Sequence, residues 1–207
     1  SPPLTSRTRH GMRERVVYQS LGEHLTSLAQ GATDKVLLVA PYIKKSAIKR
    51  VLAPLSHDCS VRVVTQWNLR EIAMGATDLD VWELLRGQEH RSLELRPSLH
   101  AKYYRFDDTC IAGSANLTGA ALGFREQSNL ELLAYVSPTA TEDFEQELDN
   151  CLTVTESMYH RYQKLLEQYK EAHPDLGQPD EEYSVEAEEI GDKVHDSRET
   201  WSPQSPQ

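Results

Sequence analysis

Two short apolar runs, residues 35–43 (KVLLVAPYI) and 60–66 (SVRVVTQ), frame a segment of helical spacing at 46–55. This arrangement constrains the fold more than any other stretch. Each run is too short for a self-burying helix and rich in branched side chains, so each reads as a buried strand. Strands joined through a helix lie parallel, because the crossover carries the chain back before the second strand begins. The early chain is therefore a βαβ unit.

The remaining pattern extends that unit. Val16, Val17, Leu21, Leu25 and Leu28 recur at helical spacing over 13–30, with Gly31 as the stop. A short helix is predicted over 78–85, with Asp78 as N-cap. Strands are predicted over 92–96, 100–106, 109–112 and 129–136, with Asp107 and Asp108 turning the middle pair and a helical turn over 117–122. A long helix is expected over 141–171, ended by Pro174. Early parallel units followed by a run of strands imply an α/β fold: one mixed central β-sheet between helices, in a single domain over 1–173. Residues 174–207 are rich in Pro, Glu, Asp and Ser. They read as an acidic, disordered tail, with Tyr183 and Trp201 as anchors for docking or for self-inhibition.

The net charge of −10 argues at first against a polyanionic partner. Its distribution reverses that: residues 1–138 carry 17 Lys and Arg against 14 Asp and Glu, and residues 139–207 carry 5 against 18. Basic clusters stand at Arg7, Arg9, Arg13 and Arg15, and at Lys44, Lys45, Lys49 and Arg50. They read either as phosphate-binding surface or as solvated helix faces. The three cysteines, Cys59, Cys110 and Cys151, are unclustered, which fits a reducing cytoplasm without disulfides or a zinc site. Cys110 lies in an apolar strand and is expected to be buried. The N-terminus lacks the apolar core of a secretory signal, and no run is long enough to span a membrane.

The chemistry concentrates at residues 100–116, HAKYYRFDDTCIAGSAN. His100, Lys102 and Asp107 fit H-x-K-x(4)-D; Gly113, Ser114 and Asn116 follow as G-S-x-N. An imidazole, an ammonium, a hydroxyl and an amide together suit a phosphate group. On a strand, His100 and Lys102 share a face and Ala101 and Tyr103 take the other. A bare Cα at Gly113 allows backbone to approach a bound phosphate. A lone His-x-Lys or a lone G-S-x-N is weak. The two in order, with Asn129 and Glu131 (N-L-E) behind them, are much stronger.

This combination resembles the phospholipase D superfamily, whose signature is H-x-K-x(4)-D followed by G-S-x-N. The resemblance covers about residues 98–135. Five residues separate Asp107 from Gly113, one fewer than the family pattern, and the stretch between Asn116 and Asn129 runs a few residues long. The resemblance implies a phosphodiesterase that needs no metal or other cofactor. His100 would attack phosphorus to give a phosphohistidine, while Lys102 and Asn116 neutralise the phosphoryl oxygens. Glu131 would hold the far nitrogen of His100. Ser114 would position the phosphate, supported by Asn129, and Asp107 would act structurally or one step removed. Glu126 is a rival to Glu131 in a loop-like context.

That mechanism uses two motif histidines, and none of the other seven (His10, His24, His57, His90, His160, His173, His195) has a Lys two positions on. A homodimer sharing one site supplies the second. The short single-motif chain and the basic motif-bearing part favour DNA, with RNA also open, over lipid. Residues 63–85 (VVTQWNLREIAMGATDLDVWELL) resemble phospholipase D-like nucleases and restriction-type endonucleases that work beside helicases or motor ATPases in bacterial defence. The expectation is a cytoplasmic DNA endonuclease. A lipid phosphodiesterase or transphosphatidylase, and a non-catalytic nucleic-acid- or protein-binding module on the same fold, are the other readings. Trp67, Asn68 and Tyr42 follow strand ends, where substrate contact competes with core packing and capping.

Overall fold

A computed structural model describes residues 15–176. The acidic tail beyond residue 176 and the arginines at 7, 9 and 13 lie outside the described residues. The chain runs β1 (Val16–Val17), α1 (Leu21–Gly31), β2 (Lys35–Val39), α2 (Lys45–Leu52), β3 (Ser60–Thr65), α3 (Leu69–Ala73), a 3-10 turn (Leu79–Val81), α4 (Trp82–Leu85) and β4 (Arg91–Leu95). It continues with β5 (Tyr103–Phe106), β6 (Thr109–Gly113), α5 (Gly119–Leu122), β7 (Leu133–Val136), a second 3-10 turn (Pro138–Thr141), α6 (Glu142–Glu147), β8 (Leu152–Thr153) and α7 (Glu156–Ala172).

All eight strands form one sheet in the order β1-β7-β6-β5-β2-β3-β4-β8. The βαβ expectation holds: β2, β3 and β4 are parallel neighbours. Antiparallel strands flank them on both sides. Alternation divides the apolar residues between two faces. Val36, Leu38, Val61, Val63, Tyr104 and Ile111 join the large core under α1, α2, α4 and α7. Leu37, Val39, Val64, Tyr103 and Cys110 form a smaller cluster under Phe144 and Leu148. Polar residues on that second face are paired. Arg62 meets Glu94 at 2.8 Å, and Arg105 meets Glu145 at 2.9 Å.

Several expectations change, among them the strand expected over 129–136, which starts only at Leu133. The segment 13–30 is not all helix: Val16 and Val17 pair with β7 as an edge strand, and the helix begins at Leu21 after Ser20 takes φ 51°. The long helix is split in two. Leu152 and Thr153 leave it to pair with Leu95 and Glu94 on the open edge of β4, and Thr155 then caps α7 by accepting from Met158 N. Branched side chains at 153–155 favour that extended run, and pairing on the edge of β4 takes the place of helical hydrogen bonds. α3 was not anticipated; Asn68 caps it, accepting from Arg70 N at 3.0 Å and Glu71 N at 3.4 Å. Asp78 precedes its own turn without capping it, and instead accepts from Lys45 N at 2.7 Å at the start of α2.

Candidate active site

The site lies at the end of the sheet where parallel β2 and β3 finish, β5 starts and β6 ends. His100 and Lys102 are not on the strand as expected but in the extended segment just before β5. Ser98, at φ 59°, turns the chain into that segment, and buried Leu99 anchors it. His100 is exposed, and Lys102 Nζ stands 3.5 Å from its Nδ1 and donates to its carbonyl oxygen at 3.0 Å. Gly113 N donates to Lys102 O at 3.1 Å, which sets G-S-x-N directly beside H-x-K.

Gly113 is needed for a different reason from the one expected. A Cβ there would stand 2.1 Å from Leu132 O, so the close approach is to the neighbouring backbone rather than to a phosphate. That approach couples the β6 end to the segment carrying Glu131. Ser114 N donates to Leu132 O at 3.0 Å, and Leu132 N returns a bond to Ser114 Oγ at 3.1 Å. Ser114 Oγ donates to one Glu131 carboxylate oxygen, and Asn129 Nδ2 donates to the other at 3.1 Å. Glu131 is thus held by Ser114 and Asn129, not by His100 as the family mechanism implied. Its two carboxylate oxygens are taken by these donors, while His100 meets Lys102. Glu126 makes no hydrogen bond or ion pair among the described residues.

Asn116 Oδ1 accepts from Tyr42 N at 3.4 Å, which leaves its amide hydrogens for another acceptor. Leu117 bridges Ile43, and Lys44 N donates to Leu117 O at 2.9 Å, so the end of β2 fixes the turn after G-S-x-N. One positioning residue was missed. Tyr104, fully buried beneath the site, donates from its hydroxyl to Ala115 O at 2.6 Å. Burial, and then the Glu131 carboxylate, push its phenol well above the ordinary range. The consecutive tyrosines after Lys102 were the available signal, because alternation sends one to each face and both prove to be core.

Asp107 belongs at the other end of β5. At φ 52° it turns the hairpin, and its carboxylate accepts from Thr33 N, Asp34 N and Lys35 N at 2.9 to 3.0 Å. Burial alone would raise its pKa, but these donors outweigh that and hold it below the usual carboxylate range. The motif aspartate is a clamp on the start of β2. Tyr42 OH donates to Glu71 at 2.9 Å, and Trp67 packs edge-on against Tyr162 at 4.8 Å, so neither side chain is uncommitted. Among the described residues no group of three or more His, Cys, Asp or Glu could hold a metal ion, and no helix is long and apolar enough to cross a membrane.

An open mixed sheet with H-x-K and G-S-x-N side by side at one end defines a phospholipase D-like α/β protein. The chain belongs to the phospholipase D superfamily: residues 25–152, more than half of it, match the family described as "Cardiolipin synthase, PLD-like domain". Among solved structures it is similar in fold to NucT from Helicobacter pylori, at TM-score 0.52 and 15% identity, over 69% of this chain and 99% of that one. It is also similar to phosphatidylserine synthase from Haemophilus influenzae, at TM-score 0.57 and 14% identity, over 77% of this chain and 44% of that one. No curated protein sequence matches it.

Proposed function

We propose that this protein is a metal-independent phosphodiesterase that cuts DNA as a homodimer, each copy supplying one H-x-K motif to a shared site. The observation that carries this reading is the His100–Lys102 pair, 3.5 Å apart and hydrogen-bonded through Lys102 O to the G-S-x-N strand. His100 attacks phosphorus, forming a P–N bond as the P–O bond breaks, and His100 of the second copy gives its proton to the leaving oxygen. That second histidine then takes a proton from water, whose oxygen displaces His100. Lys102 and the free amide of Asn116 meet the phosphoryl oxygens, where their charge and dipole act without reorganisation.

Leu130 and Leu132 flank Glu131 and are 89% and 49% exposed, which supports a partner surface close to the site. A role in DNA processing or antiviral defence beside a helicase or motor ATPase rests on the likeness of residues 63–85. The test is cleavage of single- and double-stranded DNA and RNA in EDTA, with His100→Ala as control and light scattering in parallel. Activity that required magnesium, survived that substitution or belonged to a monomer would overturn the mechanism. Turnover of phospholipid vesicles without DNA cleavage would move the substrate to lipid.

A further inference from the structure

The basic cluster of α2 splits in the folded chain. Lys44 pairs with Asp78 at 2.6 Å, and Lys45 with Asp80 at 2.8 Å and Glu83 at 2.7 Å. These two are structural ties. Lys49 and Arg50, further along the helix, are exposed and have no carboxylate partner among the described residues. The guanidinium carbon of Arg50 lies 4.1 Å above the ring of Phe124, which brings α2 against the excursion between Asn116 and Asn129. That excursion adds Arg125, also exposed and without an ion pair among the described residues, whose side chain lies against Gly119. Glu126 is the one carboxylate in the excursion, and it pairs with none of the three cations.

Both ends of the excursion are site residues. It leaves at Asn116, held to Tyr42 N, and returns at Asn129, whose N–H donates to Ala120 O at 3.0 Å. Arg50 and Arg125 therefore border Phe124, with Lys49 next to Arg50 in the chain, as a cationic ridge on a segment that begins at Asn116. Arg50 is preorganised by its aromatic seat, which still leaves guanidinium edges for phosphate oxygens.

We propose that Lys49, Arg50 and Arg125 bind the sugar-phosphate backbone of a nucleic acid beside the scissile bond. The proposal rests on the phosphodiesterase reading and names where its polymeric substrate lies. Exposed cations attract a polyanion by releasing its counterions, so the contribution is independent of base sequence and fades with salt.

The test measures binding of a labelled oligonucleotide by the full chain carrying His100→Ala, across a salt series. Lys49→Gln/Arg125→Gln, which touches no core residue, is compared with a triple variant adding Arg50→Gln. Each lost cation is expected to lower the slope of log K against log salt by about 0.9 on duplex. With His100 restored, hydrolysis of bis(4-nitrophenyl) phosphate should be unchanged, because that diester is too small to reach the ridge. Unchanged affinity and slope in both variants would sink the ridge while leaving the reaction standing. Loss of small-diester hydrolysis together with binding would also overturn it, as a general structural effect. An intact protein that ignored the small diester but bound oligonucleotide through these residues would support the ridge and sink the reaction. Binding to anionic phosphatidylglycerol vesicles without oligonucleotide binding would assign the surface to membranes and overturn the proposal.

Discussion

Gly113 and Leu132 are packed backbone to backbone, so closely that a Cβ at Gly113 would stand 2.1 Å from the Leu132 carbonyl oxygen. The contact joins β6, which leads into Ser114 and Asn116, to the segment holding Glu131. Gly113→Ala should cost about 1–3 kcal/mol of stability, as forced overpacking does. Its folded fraction should lose activity, because Leu132 cannot move without moving Glu131. Denaturant unfolding paired with diester hydrolysis per folded molecule checks both. Full activity at wild-type stability would show the contact to be slack.

Tyr104→Phe isolates the support beneath the same turn. The phenol's bond to Ala115 O is fully buried, so removal strands a carbonyl and should cost about 1–3 kcal/mol. The turn should loosen without losing any group proposed to touch substrate. The expected signature is a fall in kcat with KM nearly unchanged, read from steady-state kinetics at a temperature where the variant is folded.

Asp107→Asn tests the clamp. Asn tolerates the left-handed backbone at this position, so the substitution keeps the turn while it removes the charge and one of the two accepting oxygens. The folded carboxyl is depressed, so its contribution is complete above the unfolded value of about 3.9 and is lost as pH falls through the folded value. Wild type should therefore lose Tm on acidification below about pH 4 more steeply than Asp107→Asn. Catalysis by the folded variant should survive. A variant that folded well and was inactive would return Asp107 to the chemistry.

His24 provides a second pH window. Burial first, and then Arg15, lower its pKa below the ordinary imidazole value of about 6.5, and its Nε2 meets Tyr135 OH at 2.8 Å. The unfolded chain then takes up the proton first as pH drops. Stability should decline below about pH 6.5 and level off once the folded imidazole also protonates. His24→Gln should flatten that part of a Tm-against-pH curve and leave the Asp107 region as it was.

What the amino-acid sequence disclosed follows from locality. The β2-α2-β3 unit, the hairpin turned at Asp107 and the adjacency of H-x-K and G-S-x-N are all set by neighbours within a few positions, and each was legible. β8 was not, because residues 152 and 153 become a strand only where the edge of β4 lies open beside them. The division of the α2 cations was hidden for the same reason. Asp78, Asp80 and Glu83 lie more than thirty positions from the lysines they neutralise. The reach of Glu131 was assigned from the family mechanism, and in the fold its carboxylate is bonded by Ser114 and Asn129.

The two connections around β6 differ in how much change they can absorb. The turn at Asp107 fixes the register of a four-residue strand, so one inserted residue there would exchange the faces of Tyr103 and Tyr104 and carry His100 off its mark. The excursion between Asn116 and Asn129 is fixed over residues 117–124, by the Leu117 bridge, by α5 and by the seat of Arg50 on Phe124, and is exposed over residues 125–128. Length changes confined to residues 125–128 are therefore expected to spare the reactive groups. Each such change rewrites the surface beside them, so the grip on the substrate can diversify while the cut stays the same.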